Sequence, residues 1–214
     1  MIMKDRLAQL DAQLYHTPDV LLEDLRRLPG DIMLLGAGGK MGPSLARLAR
    51  LAADRAGLEK RIIAVSRFSD REQMRRLNDF GVETIAADLL DERQLAALPK
   101  VENILYLVGH KFGTAGNAGL TWTLNAYLPG RVAATFPEAR IVAFSTGNVY
   151  PFVPVDSGGA TEADSPDPVG EYAQSCLGRE RLFEYFSRKN GTPVLLYRLN
   201  YAIDLRYGVL MDIA

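Results

Sequence analysis

The chain has 214 residues, of which 48% are hydrophobic and 24% are charged, and its formal net charge is -1. This balance is typical of a globular protein with a sizeable core, and it gives no electrostatic reason to expect nucleic acid or an acidic membrane as a partner. One cysteine and two histidines exclude an internal disulfide and offer no metal-ligand spacing, so we expect no metal site. The sequence shows neither a signal peptide pattern nor a bilayer-spanning apolar run. With a single cysteine, a reducing cytoplasm is the default expectation.

The first 30 residues are predicted to form an N-terminal helical extension. Apolar residues recur at three- and four-residue spacing over residues 3–14 and 21–28, as on one face of a helix. Thr17-Pro18 has the pattern of a helix cap followed by a first-turn proline, and Pro29-Gly30 has that of a helix end. The extension packs either on its own domain, which is the simpler alternative, or on a partner subunit.

Residues 31–214 are predicted to form one Rossmann-type α/β domain. Short apolar segments predict six strands, at residues 32–35, 62–65, 82–87, 103–108, 141–144 and 193–199. Helical patterns separate them, and Ser69 with Glu72 predicts a capping box at the helix after the second strand. Such alternation requires parallel strands with right-handed crossovers, so we expect a doubly wound sheet of order 3-2-1-4-5-6.

A glycine-rich turn lies between the first strand and its helix, with glycines at the first, fourth and seventh positions and one more at the third. Glycines let the backbone approach a diphosphate closely, and the N–H groups of a helix start bind the anion. The alternative is a glycine-rich connection without a ligand. The predicted phosphate-binding residues are Gly36, Gly38, Gly39, Lys40, Met41 and Gly42.

The ends of the next strands are expected to contact the rest of a nicotinamide dinucleotide. Ser66-Arg67 ends the second strand without a carboxylate, and Arg67 is suited to clamp a 2′-phosphate, which favours NADP over NAD. NAD stays the alternative, with Arg67 as a solvated surface residue. Asp88 and Leu89 are predicted to hold the adenine, unless Asp88 is a turn aspartate, and Val108 and Gly109 are predicted to line the cofactor cleft.

Several segments, taken in order, resemble the extended short-chain dehydrogenase/reductases, the NAD-dependent epimerase/dehydratase family that acts largely on nucleotide sugars. They are the glycine turn, Thr146 ahead of a Val-Tyr pair, Tyr172 on a helix with Glu180, and the segment Tyr197-Arg198-Leu199-Asn200-Tyr201. The resemblance covers residue 31 to the end. It implies that Thr146 bonds the substrate hydroxyl, that Tyr172 is the acid/base and a cofactor contact, and that Asn125 and Asn200 are substrate residues.

One position departs from the family pattern. The family has a lysine four residues after the tyrosine, whose ammonium holds the nicotinamide ribose and lowers the tyrosine pKa, whereas this chain has Cys176. Lys111, in the loop after the fourth strand, is the predicted substitute for this lysine. The alternative is that Lys111 is a solvated loop residue without such a role. Arg179 lies on about the same helix face but is expected to be too far along. His110 is a further potential proton donor, or else a surface polar residue.

These residues support two hypotheses. The first is an NAD(P)-dependent epimerase/dehydratase-like oxidoreductase, acting on a small-molecule substrate such as a nucleotide sugar or a similar hydroxyl/carbonyl compound. The alternative is a non-catalytic dinucleotide sensor or scaffold, which the missing lysine favours. The family's small C-terminal substrate domain has no counterpart here, so the sequence is either truncated or a minimal form with an open substrate side. Dimerisation through the helices carrying Asn125 and Tyr172 is expected by analogy with the family.

Overall fold

The protein is described by a computed structural model that covers residues 9–111 and 116–200. It forms two compact units, which in these ranges comprise residues 9–108 with 138–141, and residues 109–111, 116–137 and 142–200. The strands are β1 (Ile32–Leu35), β2 (Ile62–Ser66), β3 (Glu83–Ala86), β4 (Asn103–Tyr106), β5 (Arg140–Thr146) and β6 (Val194–Leu199). They form one six-stranded sheet of order β3-β2-β1-β4-β5-β6, which confirms the predicted Rossmann-type fold and strand order.

Helices alternate with the strands. They are α1 (Asp19–Arg27), α2 (Gly42–Arg55), α3 (Arg71–Asp79), α4 (Glu92–Ala97), α5 (Ala118–Trp122), α6 (Leu128–Thr135) and α7 (Gly170–Asn190). A π-helical turn at Thr123–Tyr127 connects α5 to α6. In residues 9–111 and 116–200, none of the helices is long and apolar enough to cross a membrane. The same residues contain no cluster of three or more His, Cys, Asp or Glu side chains that would hold a metal ion.

Strand β1 is the centre of the first unit. It pairs in parallel with β2 on one side and with β4 on the other, so that Ile32 lies opposite both Ile62 and Asn103. All four β1 side chains are buried, which explains why the strand is a continuous apolar run. The register brings the carboxyl ends of β1 and β2 together, and the N–H groups of Gly36 and Ala37 both donate to the Val65 carbonyl, at 2.9 and 3.0 Å.

The N-terminal helices are part of the first unit and pack within it. Leu22 and Leu25 of α1 are buried in the same apolar cluster as Leu34. The predicted Thr17 cap is wrong: α1 begins after Pro18 without a side-chain cap, because the Thr17 hydroxyl accepts a hydrogen bond from Arg55 instead. Residues 3–8 of the predicted first helix lie outside the described residues, and residues 9–14 are helical.

The predicted capping box of α3 is also wrong. Helix α3 begins at Arg71, so the cap position falls on Asp70 and not on Ser69. The Asp70 carboxylate accepts hydrogen bonds from the N–H groups of Glu72 and Gln73, at 2.9 and 3.2 Å. The Glu72 carboxylate bonds to neighbouring arginines of its own helix instead of reaching back, so it completes no box.

Candidate functional site

Three glycines of the glycine-rich turn lie in tight contact with neighbouring atoms of the fold. A Cβ atom on Gly42 would lie 2.2 Å from the Ala37 carbonyl oxygen, and one on Gly38 would lie 2.5 Å from the Ser66 hydroxyl. Gly36 has a φ of +87°, and its Cβ would lie 2.9 Å from the Val108 amide. The Gly38 and Gly36 contacts pack the turn against the ends of β2 and β4, and the Gly42 contact closes the turn on itself, so close packing accounts for glycine at these positions without a ligand.

Gly39 differs from the other glycines of the turn. Gly39 is exposed, and a Cβ atom added to it would have the Gly36 carbonyl oxygen as its nearest neighbour, at 3.5 Å, which is an ordinary van der Waals contact. Helix α2 begins three residues later without a side-chain cap and without an acidic residue in its first turn. An open backbone cradle next to uncapped helix N–H groups fits a diphosphate, which a side chain on Gly39 would obstruct.

The end of β2 carries the residues predicted to contact the adenosine ribose. Ser66 lies against Gly38, and Arg67 is exposed and forms no hydrogen bond or ion pair with the described residues. The next residue, Phe68, is buried with a φ of +47°, an uncommon conformation for a side chain of this size. A cation that has no partner among residues 9–111 and 116–200 and lies next to the glycine turn is chemically suited to a phosphate group.

The predicted adenine-binding residues are at the end of β3. The Asp88 carboxylate accepts a hydrogen bond from the Leu90 N–H at 3.0 Å, which corresponds to the alternative of a turn aspartate. Leu89 is buried. The cap of α4 is Asp91, whose carboxylate accepts from the N–H groups of Arg93 and Gln94. An adenine contact at Asp88 stays a prediction.

The predicted catalytic tyrosine lies in the second unit, in the first turn of α7. Its hydroxyl lies close enough to Thr146, at the end of β5, and to Cys176, one helical turn along, for both side chains to influence its pKa. Partial burial, followed by the proximity of Cys176, raises the Tyr172 pKa to about 12, although the nearby Thr146 side chain and the Arg179 charge act in the opposite direction. The structure thus brings the predicted pair Thr146 and Tyr172 together.

Cys176 is fully buried. Burial raises its thiol pKa, while the charges of Arg179 and Lys111 act to lower it. A buried thiol with a raised pKa is a packing residue and not an exposed nucleophile. The predicted substitute Lys111 is exposed, yet its ammonium lies close enough to influence Cys176 electrostatically.

Asn125 is at the centre of a buried hydrogen-bond network. Its Oδ1 accepts from the His110 N–H at 2.7 Å and from Arg179 Nη2 at 2.9 Å. Its Nδ2 donates to the His110 carbonyl at 3.1 Å and to the Ser175 hydroxyl at 3.0 Å. Both acceptor sites and both donors are therefore used inside the protein. The predicted substrate contact of Asn125 is not supported by this geometry, which instead makes it a positioning residue for the loop that carries His110.

The other predicted residues of the second unit have distinct surroundings. The His110 ring is held by the Thr121 hydroxyl, 3.1 Å from its Nδ1. A Cβ on Gly109 would lie 3.1 Å from Arg179 Nη2, so this glycine leaves room for the guanidinium. The carboxamide of Asn200 lies against Gly147, the residue after Thr146, which keeps Asn200 a candidate for substrate contact.

A buried ion pair supports α7 behind Tyr172. Glu180 is fully buried, and its carboxylate accepts from the Ser145 hydroxyl and from Arg198, whose Nη2 is 2.8 Å away. The hydrogen bonds to Glu180 are the main cause of a raised Arg198 pKa. This pair connects β5, β6 and α7 within the second unit and fixes the helix that carries the tyrosine.

Two further residues of α7, Arg179 and Ser175, make contacts that their positions in the sequence do not predict. Arg179 was expected to be too far from Tyr172, but its charge acts on both Tyr172 and Cys176. The signal was its spacing of seven residues, two helical turns, which places both residues on one face of α7. Ser175 carries no such signal, because its role depends on contact with Asn125, 50 residues earlier in the chain.

The sheet order, together with the glycine turn after β1, defines a Rossmann-type α/β protein. The sequence profile of the NAD dependent epimerase/dehydratase family matches residues 32–202. The chain therefore belongs to the NAD dependent epimerase/dehydratase family. No curated protein matches it.

Solved structures with the same fold include three enzymes named for nucleotide sugars. DesIV, a dTDP-glucose 4,6-dehydratase from Streptomyces venezuelae solved with NAD and TYD, is 20% identical with a TM-score of 0.70, covering 78% of this chain and 55% of its own. UDP-glucuronic acid 4-epimerase from Bacillus cereus, solved with NAD, is 17% identical with a TM-score of 0.63, covering 79% and 56%. UDP-glucose 4-epimerase from Thermotoga maritima, solved with UDP-glucose, is 17% identical with a TM-score of 0.65, covering 78% and 54%. The chain spans about half the length of these proteins.

Proposed function

We propose that the protein is an NAD(P)-dependent oxidoreductase of the epimerase/dehydratase type that acts on a nucleotide sugar or a similar hydroxyl/carbonyl compound. The observation that carries this proposal is the proximity of Tyr172 to Thr146 in a chain of this family. A protein that only binds a dinucleotide has no need of such a pair. The nucleotide-sugar class is supported by the names of the structural neighbours.

The residues fit a nicotinamide dinucleotide. Its diphosphate would be held by the turn from Gly36 to Gly42, where Gly39 leaves an open cradle. Ser66, Arg67, Asp88 and Leu89 would contact the adenosine half, and Val108 and Gly109 the nicotinamide half. When bound, the nicotinamide ring supplies or takes up a hydride.

NADP is the preferred cofactor in this proposal. Arg67 has no protein partner among the described residues, and the end of β2 has no carboxylate to bond a free ribose hydroxyl. A 2′-phosphate would give the guanidinium a charge-assisted hydrogen bond. NAD, which the neighbours DesIV and UDP-glucuronic acid 4-epimerase contain, is the alternative.

Tyr172 moves the proton. With its pKa raised to about 12, the phenol is protonated at neutral pH and is poised to donate to a substrate carbonyl oxygen. Thr146 lies near the same hydroxyl, and its own hydroxyl can bond the substrate oxygen. The oxidising direction needs the tyrosinate, so its rate is expected to rise with pH up to that pKa. Lys111 is a further candidate cation, and Asn200 a candidate substrate contact.

A non-catalytic sensor or scaffold is the second candidate function. The observation that favours it is Cys176 at the family's lysine position, together with the raised Tyr172 pKa. In this case the protein would bind the dinucleotide and signal through a partner without turning it over.

One substitution separates the two functions. Tyr172→Phe is compared with Tyr127→Phe, which changes an exposed tyrosine of the π turn. Turnover is followed by nicotinamide absorbance with UDP- and dTDP-sugars, and binding by calorimetry. We expect Tyr172→Phe to lower kcat roughly 100-fold or more while nucleotide binding persists, because proton transfer contributes about that much. Binding without turnover by the parent protein on every sugar tested supports the sensor, and absence of binding contradicts both.

The proposal includes a homodimer and a cytoplasmic location, neither of which bears on the chemistry. Exposed aromatic side chains on the helices of the second unit, at Tyr127 and Tyr185, are compatible with a helical contact between copies. Light scattering during size-exclusion chromatography tests the assembly, and a monomer at micromolar concentration would contradict it.

A further inference from the structure

Helix α3 packs within the first unit through one stripe of side chains, and that stripe includes a glutamine. Gln73 and Met74 are half-buried and Leu77 is buried, at the three- and four-residue spacing of one helix face. The other polar side chains of the helix are exposed, namely those of Arg71, Glu72, Arg75, Arg76, Asn78 and Asp79. Because inward-facing positions of a surface helix are normally apolar, packing alone does not explain a carboxamide at this position.

The Gln73 side chain reaches the glycine-rich turn at the end of β2. Its Oε1 lies 3.4 Å from the position that a Cβ atom on Gly38 would occupy, and the Ser66 Oγ lies 2.5 Å from the same position. The Gln73 N–H donates to the Asp70 carboxylate at 3.2 Å, which holds the helical turn that carries the side chain. The Ser66 hydroxyl and the Gln73 carboxamide are therefore neighbours beside the glycine turn.

Both side chains have hydrogen-bonding capacity left. Within residues 9–111 and 116–200, neither the Ser66 hydroxyl nor the Gln73 carboxamide forms a hydrogen bond with another protein group. A carboxamide offers two N–H donors and an acceptor oxygen. Half-buried polar groups normally find a partner, so this pair is suited to a ligand that carries hydroxyl or phosphate oxygens.

We propose that Gln73 binds the 2′ position of the adenosine ribose and takes the place of the carboxylate that the end of β2 lacks. The inference rests on the proposed function, because it concerns the dinucleotide of that function. In Rossmann-type domains an acidic side chain at the end of the second strand accepts a hydrogen bond from the 2′-hydroxyl. Ser66 has a shorter side chain than an acidic residue, and Gln73 approaches the same space from α3.

A neutral carboxamide affects the choice of cofactor differently from a carboxylate. Its oxygen can accept from a free 2′-hydroxyl, and its Nε2 can donate to an oxygen of a 2′-phosphate. A carboxylate accepts from the hydroxyl but repels the phosphate. Gln73 therefore stabilises both bound nucleotides, and the exposed Arg67 guanidinium adds the charge that favours NADP.

The test measures the Kd of NADP and of NAD by calorimetry, in the full chain and without substrate. Gln73→Met keeps the length of the side chain and removes its hydrogen bonds, so both nucleotides are expected to bind about tenfold more weakly. Gln73→Glu supplies a carboxylate, so NADP is expected to bind about tenfold or more weakly, while the Kd of NAD stays within about threefold of the parent value. Gln13→Glu, the matched control, makes the same charge change at an exposed position of the N-terminal helix and is expected to leave both Kd values unchanged.

Both Gln73 variants are expected to fold, as checked by circular dichroism. Residue 73 is the third of its helix, where a glutamate is favourable, and methionine suits a half-buried position. Parent-like Kd values in Gln73→Met overturn the inference, as does an unchanged ratio of the two Kd values in Gln73→Glu, and if one variant does not fold the other decides. Either result leaves the proposed function standing, because the parent still binds a nucleotide. If the parent binds neither nucleotide, the proposed function fails together with the inference.

Discussion

Gly39→Ala is the sharpest test of the phosphate-binding turn, because the fold does not require a glycine there. The nearest atom to the added Cβ is 3.5 Å away, and Gly39 does not have a positive φ. Stability without ligand is therefore expected to stay the same or to rise by about 0.4–1 kcal/mol, since alanine restricts the unfolded chain. A large loss of stability would contradict the geometry of the turn.

The effect on a bound dinucleotide is expected to be large. The methyl group occupies the cradle, and the loss of two phosphate hydrogen bonds of about 1.4 kcal/mol each weakens binding about 100-fold. At a nucleotide concentration of about 100 times the parent Kd, ligand stabilisation falls from about 2.7 to about 0.4 kcal/mol. For a chain of this size, the nucleotide-induced rise in Tm falls from about 5–11 °C to about 1–2 °C.

The measurement is thermal unfolding with and without NADP, for the parent and for two variants. Gly119→Ala in α5 is the matched control, because nothing lies within 4 Å of its added Cβ. It is expected to keep the full ligand-induced shift. If Gly39→Ala also keeps the full shift, the diphosphate does not bind at this turn and the reasoning is refuted.

Three further predictions concern the cofactor, the pH dependence and a helix cap. NADP is expected to raise the Tm of the parent more than NAD does, and Arg67→Ala to remove the difference by weakening NADP binding roughly tenfold; equal shifts in the parent would remove the NADP assignment. The Tyr172 pKa is raised from about 10 to about 12 on folding, so the folded protein holds the phenol proton more tightly than the unfolded chain does. The resulting contribution to the free energy of unfolding is fully present below pH 10 and is lost as pH rises toward 12. Urea unfolding should therefore show a loss between pH 9 and pH 11.5 that is about 2 kcal/mol larger in the parent than in Tyr172→Phe, and an equal loss would contradict the shift. Asp91→Ala removes the α4 cap and should lower the free energy of unfolding by about 1 kcal/mol, measured by the same method, whereas no change would show that the cap is not stabilising.

The fold was predictable because its signals are local. A strand buried on both faces must be apolar along its whole length, and β1 and β2 are. The glycine turn was recognisable for a similar reason, since its glycines follow one another in the chain. Cap positions were less predictable, as at Asp70, because moving the start of a helix by one residue changes which side chain reaches the free N–H groups.

The roles within the second unit depend on contacts between distant residues. Asn125 was assigned to the substrate from its position in the chain, but folding surrounds it with His110, Ser175 and Arg179, which take up all of its hydrogen bonds. The reach of Arg179 likewise depends on where the Phe144 carbonyl and Gly109 lie. Apolar periodicity and glycine spacing are properties of neighbouring residues and are written into the chain. The partners and pKa values of buried polar groups arise only when separate segments pack together and exclude water, so three-dimensional structure alone decides them.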